Sequence, residues 1–282
     1  MVLIFSIEND PSTTAVINWL MYLNKKFIRL NPEDKLLLQT FEILNSNNIY
    51  WEAKVGENVI KYSEISSVWY RRGGLKIFDF GIERNSNFQY ENYLENEIET
   101  IEKAIKHSLM KKIVVGNFVG VINKLIVLIE AQKTGLSIPN TSIVTKKSDL
   151  KEFRQSKDLI SKPIFEIMPI ENINKTSFYS AFTALLNEND VSESFFYTLV
   201  QEQIVKKFEI RSVYHGDIFY SSAIISQNNV QTSLDFRHYD KTKPNRILPF
   251  TLPIEIENKL RLLMRKLGLN SGSFDLIYSE NE

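Results

Sequence analysis

Glu209-Ile-Arg211, Asp235-Phe-Arg237 and Asp275 interrupt apolar, strand-like runs in the last third of the chain. A carboxylate or guanidinium group is costly to bury in such a run without a phosphate, metal or substrate to pair with it. These clusters are therefore the first candidates for chemistry. Asp235 and Arg237, two residues apart, would share one face of a strand, so the carboxylate could orient the guanidinium or accept a proton. The plainer alternative is a structural ion pair. Lys124, at a helix start, and Lys162, which ends an apolar strand before Pro163, are two further cations that could meet an anion or stand solvated.

The elements that must hold these residues follow from periodicity. Val2–Ile7 reads as a buried strand, too short to span a membrane and lacking the flanks of a signal peptide. Asn9-Asp10-Pro11-Ser12 supplies helix-start chemistry, Val16, Leu20 and Leu23 form an apolar stripe, and Phe27–Leu30 is a second strand. This order predicts a small parallel α/β layer, with further strands near Tyr50–Val55, Val59–Tyr62 and Ser67–Arg71. Leu94, Ile98, Ile101, Ile105 and Leu109 then recur at helical spacing within Phe88–Met110, a long helix closing the first domain.

Lys112–Val115 opens the next unit. Asn123–Thr134 is helical and ends at Gly135, Ser142–Thr145 and Leu159–Lys162 are strands, and Phe178–Leu186 fits either helix or strand. Phe195–Val205, Ile210–Tyr214, Ile218–Ile225 and Val230–Phe236 read as successive antiparallel strands, with turns at His215-Gly216-Asp217 and Gln227-Asn228-Asn229. Ile256, Leu260, Leu263, Met264 and Leu267 mark a last helix, and Ser273–Tyr278 a last strand.

Composition bounds the function. A length of 282 residues suffices for a sizeable core in one large or two to three small domains. The 34 basic and 34 acidic residues balance, which argues against a nucleic-acid partner or a membrane-surface partner. The absence of cysteine excludes disulfides and thiolate chemistry and points to a cytoplasmic setting. The three histidines show no metal-site spacing.

Lys124, Ile138-Pro139-x-Thr141, Ser161-Lys162-Pro163, Gln201-Glu202-Gln203-Ile204, Glu209-Ile-Arg211 and Ser273-Phe-Asp275 occur in the order and spacing of ATP-grasp ligases of the RimK-like group, over nearly the whole chain. More narrowly, Val68-Trp-Tyr-Arg-Arg-Gly-Gly74, Tyr220-Ser-Ser-Ala-Ile224, Asp235-Phe-Arg237 and Lys243-Pro-Asn-Arg246 resemble the peptide maturases of microviridin-type (graspetide) systems, in particular the grasp-with-spasm branch. The resemblance implies an α/β (α+β) ATP-grasp fold: a parallel α/β domain over 1–111, a central domain over 112–198 and an antiparallel-sheet domain over 199–282. It also implies a reaction in which ATP activates an Asp or Glu side chain of a ribosomal precursor peptide as an acyl phosphate. A Thr or Ser hydroxyl then closes an ester ring. A homodimer is implied as well.

On this resemblance Lys124 and Lys162 neutralise the triphosphate, Gln201, Glu202, Gln203 and Ile204 pass the adenine edge, and Glu209 takes the ribose hydroxyls. A surface salt bridge from Glu209 to Lys206 or Lys207 is the competing reading. Arg211 and Arg237 would stabilise transferring phosphoryl charge, with Asp235 beside them, and Asp275 would bind Mg²⁺. Two features depart from the family's pattern. No glycine-rich loop follows Lys162, and the Glu-x-Asn pair usual after the metal-binding aspartate is absent before Glu282. Either a segment is omitted from this sequence or the metal site lacks that pair; the hairpin-like pattern of Asp275–Tyr278 favours omission. Two other readings stay open: an amide-forming RimK-like ligase, and a precursor-binding protein with weakened catalysis. Arg71 and Arg72, beside Trp69 and Tyr70, fit a cleft or simple packing equally well.

Overall fold

The computed structural model describes the chain except for residues 45–47, 79–87, 119–121, 155–156, 166–168, 172–177, 181–182, 228, 230–231, 233, 237–239, 241 and 280–282. It divides into two compact units, Met1–Gly120 and Val121–Glu282.

The first unit contains β1 (Val2–Phe5), α1 (Pro11–Tyr22), β2 (Phe27–Leu30), β3 (Leu37–Leu44), β4 (Asn48–Val55), β5 (Asn58–Lys61), β6 (Ser67–Tyr70), α2 (Phe88–Leu109) and β7 (Ile113–Val115). Its parallel sheet has the order β2-β1-β6-β7. α1 begins as its sequence dictates: the Asp10 carboxylate accepts the Thr13 N–H at 2.8 Å and Pro11 opens the first turn. The strands expected at Tyr50–Val55 and Val59–Tyr62 do not join the parallel layer. They form a separate antiparallel sheet, β3-β4-β5. The physical reason is the two-residue Gly56-Glu57 connection, with Gly56 at φ 54°, which can join only antiparallel neighbours. β3 escaped the period-2 reading because its pairing shifts register between Leu38 and Thr40. Leu3, Phe5, Trp51, Ile60, Ile105 and Leu109 build the core, and the Trp51 indole N–H donates to Ser108 Oγ at 2.9 Å, fastening α2.

The second unit contains α3 (Lys124–Lys133), β8 (Thr141–Lys146), α4 (Lys147–Arg154), β9 (Leu159–Lys162), β10 (Pro169–Glu171), β11 (Phe178–Ser180), β12 (Ala184–Leu185), β13 (Ser194–Glu202), β14 (Phe208–His215), β15 (Ile218–Ile225), β16 (Arg246–Phe250), α5 (Ile254–Lys266) and β17 (Ser271–Tyr278). Two four-stranded sheets dominate it, β12-β9-β13-β8 and β16-β15-β14-β17, both antiparallel. Val144, Leu150, Leu159 and Val200 pack beneath the first sheet. Leu260 of α5 packs with Ile210 and Leu252 against the second. The β14–β15 hairpin turns through Gly216 and Asp217, both at positive φ, and Asp217 Oδ1 accepts the Tyr214 hydroxyl at 2.7 Å.

The strand expected at Val230–Phe236 is not found among its described residues: Thr232 and Phe236 lie in turns, Leu234 in a bend and Asp235 in irregular structure, so Asp235 is not on a strand, and 230, 231 and 233 lie outside the described residues. Side chains tie this loop to itself. Thr232 Oγ1 bonds Asn245 Oδ1 at 2.9 Å and the Ser226 carbonyl at 3.1 Å, and Asn229 Nδ2 donates to Asp240 Oδ2 at 2.8 Å. Such local bonds compete with a ladder. The sheet's fourth strand is β16, whose Pro249 is tolerated because β16 lies at an edge.

Candidate active site

A cavity of about 200 Å³ lies between the two sheets of the second unit. Its walls are Ile160 and Lys162 from β9, Gln203–Lys206 between β13 and β14, Glu209 from β14, the Leu234–Phe236 loop and Asp275–Ile277 from β17. A cavity of about 150 Å³ holds benzene, so this one suits a fused base or a sugar rather than a whole nucleoside triphosphate.

Within this lining Glu209 is 8% exposed. Lys206 Nζ reaches Glu209 Oε1 at 2.5 Å and also donates to the Leu234 carbonyl at 2.9 Å; Ser226 Oγ donates to the same carboxylate at 3.3 Å. The pairing considered for Glu209 thus exists, but it is a buried pair rather than a surface one. Asp235 is also buried, and Thr183 Oγ1 donates to its Oδ2 at 3.1 Å. At another edge, Arg211 and Asp275 are directly opposed on β14 and β17, and Arg211 Nη1 donates to Asp275 Oδ1 at 2.5 Å. Both side chains are partly exposed.

Lys162, Gln203, Ile204, Glu209, Asp235 and Asp275 therefore line one cavity. Other residues nominated from the sequence are committed elsewhere. Gln201 Nε2 donates to Thr141 Oγ1 at 2.9 Å. Glu202 accepts from Lys157 at 2.8 Å and Asn140 at 3.0 Å, and those two hydrogen bonds, Lys157 first, hold its carboxyl below the ordinary range against the opposing effect of burial. Lys124 donates to the carbonyls of Pro163, at 3.0 Å, and Phe165, bracing the segment after β9. Arg237 lies outside the described residues. Thr183, in the run that periodicity left ambiguous, was not nominated, and Lys206 was named only as a salt-bridge partner of Glu209.

Among the described residues no three His, Asp or Glu side chains cluster into a metal cage. Mg²⁺ held by one or two carboxylates and by substrate phosphates needs no such cage. Asp275 alone fits a Mg–nucleotide, not a free ion.

The paired antiparallel sheets around a cavity and the parallel α/β unit define an ATP-grasp fold, and the resemblance read from the motifs is matched at this level. No family model and no curated protein matches the chain. Among solved structures, the chain is similar to macrocyclase MdnC of Microcystis aeruginosa MRC, bound with precursor peptide MdnA: TM-score 0.75 and 24% identity over 100% of this chain and 88% of that one. It is likewise similar to a RiPP-associated ATP-grasp ligase of Chryseobacterium gregarium in complex with ADP and a leader and core peptide: TM-score 0.77, 22% identity, 99% and 85% covered. The ATP-grasp ligase PsnB, complexed with minimal precursor, Mg and ADP, gives TM-score 0.67 at 14% identity, covering 99% and 85%. At these identities the likeness is one of fold.

Proposed function

We propose that the chain is an ATP-dependent macrocyclase of a ribosomal precursor peptide, forming ω-ester crosslinks between Thr or Ser hydroxyls and Asp or Glu side chains. The observation that carries this reading is the single cavity that gathers Lys162, Glu209, Asp235 and Asp275, with Arg211 paired to Asp275. Fold likeness to ligases solved with nucleotide and precursor peptides supports it.

Bound ATP would supply the phosphoryl group that turns a carboxylate into an acyl phosphate, and Mg²⁺ would supply charge neutralisation for the transfer. Gln203 and Ile204 would offer backbone groups to the base, and Glu209, fixed by Lys206, would accept the ribose hydroxyls. Lys162 would hold phosphate charge, with Lys124 bracing the segment beside it. Asp275 would hold the Mg²⁺ ion, and Arg211 beside it would stabilise the oxygens of the reacting carboxylate, where charge accumulates. Asp235, held by Thr183, would accept the proton of the attacking hydroxyl. Arg237 enters on its sequence pattern alone. The same reading assigns the two halves of the nucleotide clamp to 112–198, less Ile113–Val115, which pair in the first unit's sheet, and to 199–282, and includes a homodimer in the cytoplasm.

Intact-mass analysis of a Thr- and Asp/Glu-rich precursor, incubated with the protein, ATP and Mg²⁺, tests the proposal. Loss of one water mass per crosslink, regained in mild base, is expected. Base-stable losses would indicate amides instead, and an unchanged mass would sink the reading.

A further inference from the structure

The first unit carries a second concentration of charge that the proposed chemistry leaves unused. Its parallel order β2-β1-β6-β7 means that the chain leaves β1 for β2 on one side while β6 flanks the other. The carboxyl ends of β1 and β6 are therefore a topological switch point, the place where open α/β sheets receive ligands. Three devices build this point. Gly73, at φ 74°, passes so close to β1 that a Cβ there would stand 2.7 Å from the Ser6 carbonyl oxygen. The Phe5 carbonyl accepts from the N–H groups of both Arg71, at 2.9 Å, and Arg72, at 3.2 Å. The Asp10 carboxylate, with its side chain only 4% exposed, lies 3.4 Å from Arg71 Nη2 and 3.8 Å from Arg72 Nε.

The charges at this point do not cancel. Asp10 is ionised: burial works to raise its carboxyl, but the Thr13 N–H and the two arginines outweigh it and hold it low. Among the described residues it is the one carboxylate paired with either arginine. Two guanidinium groups around one carboxylate leave an excess of one positive charge, on a chain whose net charge is +0. Arg72 is the outer of the two, its side chain 55% exposed, and meets Asp10 only loosely. Across β1, Arg29 adds a third guanidinium, spent on the Ile7 carbonyl and on Asn31 Oδ1 rather than on an acid.

We infer that Arg71 and Arg72 form a binding site for one carboxylate side chain of an acidic peptide, with Asp10 setting their spacing. A planar guanidinium fork matches a carboxylate in two parallel bonds. Asp10 offsets one of the three guanidinium charges, so the site favours an anion, and the acidic peptide of the proposed function supplies that anion as a carboxylate. The inference deepens the proposed function, on which it rests for the acidic peptide, by assigning an acid-recognition site in the first unit.

The test uses the full chain labelled with [¹⁵N]arginine and a capped synthetic peptide, Thr-Glu-Glu-Thr, beside its Gln counterpart. The Glu peptide is expected to shift the Arg71 and Arg72 side-chain N–H signals saturably, the Gln peptide to leave them unmoved, and Arg72→Gln to raise the Kd at least ten-fold. Arg72→Lys, which loses the fork, is expected to recover only part. Unmoved signals with the Glu peptide, or inorganic phosphate binding more tightly than the peptide, would overturn the inference. The wild-type comparison decides the matter even if a variant fails to fold. Glu-specific shifts without crosslinking would retain this site and refute the macrocyclase; crosslinking without such shifts would do the reverse.

Discussion

Arg211 and Lys206 occupy opposite energetic situations, which makes their loss distinguishable. The Arg211–Asp275 pair is partly exposed, and pairs of that kind contribute about 0–1 kcal/mol. Arg211→Ala should therefore leave unfolding free energy within about 1 kcal/mol while lowering turnover by roughly 100- to 1,000-fold, the effect of removing one preorganised donor. Lys206 and Glu209 have side chains only 7% and 10% exposed. Lys206→Met should cost about 3–5 kcal/mol in denaturant unfolding, because the carboxylate is left buried without its counter-charge. Similar stability losses for the two variants would contradict this division. Glu202 gives a pH dependence of definite sign. Its folded carboxyl sits below the ordinary 4.5, so it contributes stability above that value and loses it as pH falls through the folded value. Glu202→Gln should flatten the acid limb of stability measured from neutral pH downward; an unchanged slope would count against it. Side-chain type and spacing were enough to nominate Lys162, Glu209, Asp235 and Asp275, which meet in the cavity. They could not disclose that Gln201 and Glu202 are engaged by Thr141 and Lys157, because those partners are some 40 to 60 residues away.

Elements were legible where one period runs unbroken. α2, with its apolar residues at helical spacing, and the β14–β15 hairpin, with Gly216-Asp217 at its turn, stand where the pattern puts them. β3 and β16 were hidden by a register shift and by Pro249, and the Thr232–Phe236 segment imitates a strand in composition while its polar groups bond locally. Glycine marks a backbone requirement more sharply than periodicity does. At Gly73 an alanine would carry a left-handed cost of about 1–2 kcal/mol and meet Ser6 as well. Gly73→Ala should destabilise by at least that amount, whereas Gly74→Ala, whose Cβ would enter open space, should cost nothing in the same chemical denaturation. Equal effects would show that the close approach of the segment after β6 to the Ser6 carbonyl is not what Gly73 serves.

For the molecule as a whole, two compact units with separate cores predict two thermal transitions. Mg²⁺·ADP at about 100 times its Kd should stabilise one of them by about 2.7 kcal/mol and leave the other in place. Calorimetry with and without nucleotide reads this directly; a single transition, or equal shifts in both, would contradict it. The balanced composition and the absence of a described helix long and apolar enough to cross a membrane say nothing about which residues react. That information resides in pairings between distant strands, and those pairings also set a timetable. Arg211 meets Asp275 across 64 positions, while the β14–β15 hairpin closes at His215 and Ile218, three apart. Loop closure costs about 0.6 kcal/mol per doubling of length, so the longer pairing is on the order of 2–3 kcal/mol harder to initiate. The hairpin can nucleate early, but β17 must arrive before arginine and carboxylate face each other. On the proposed function, a nascent or half-folded chain would carry these two groups apart and stay inert until β17 has paired with β14.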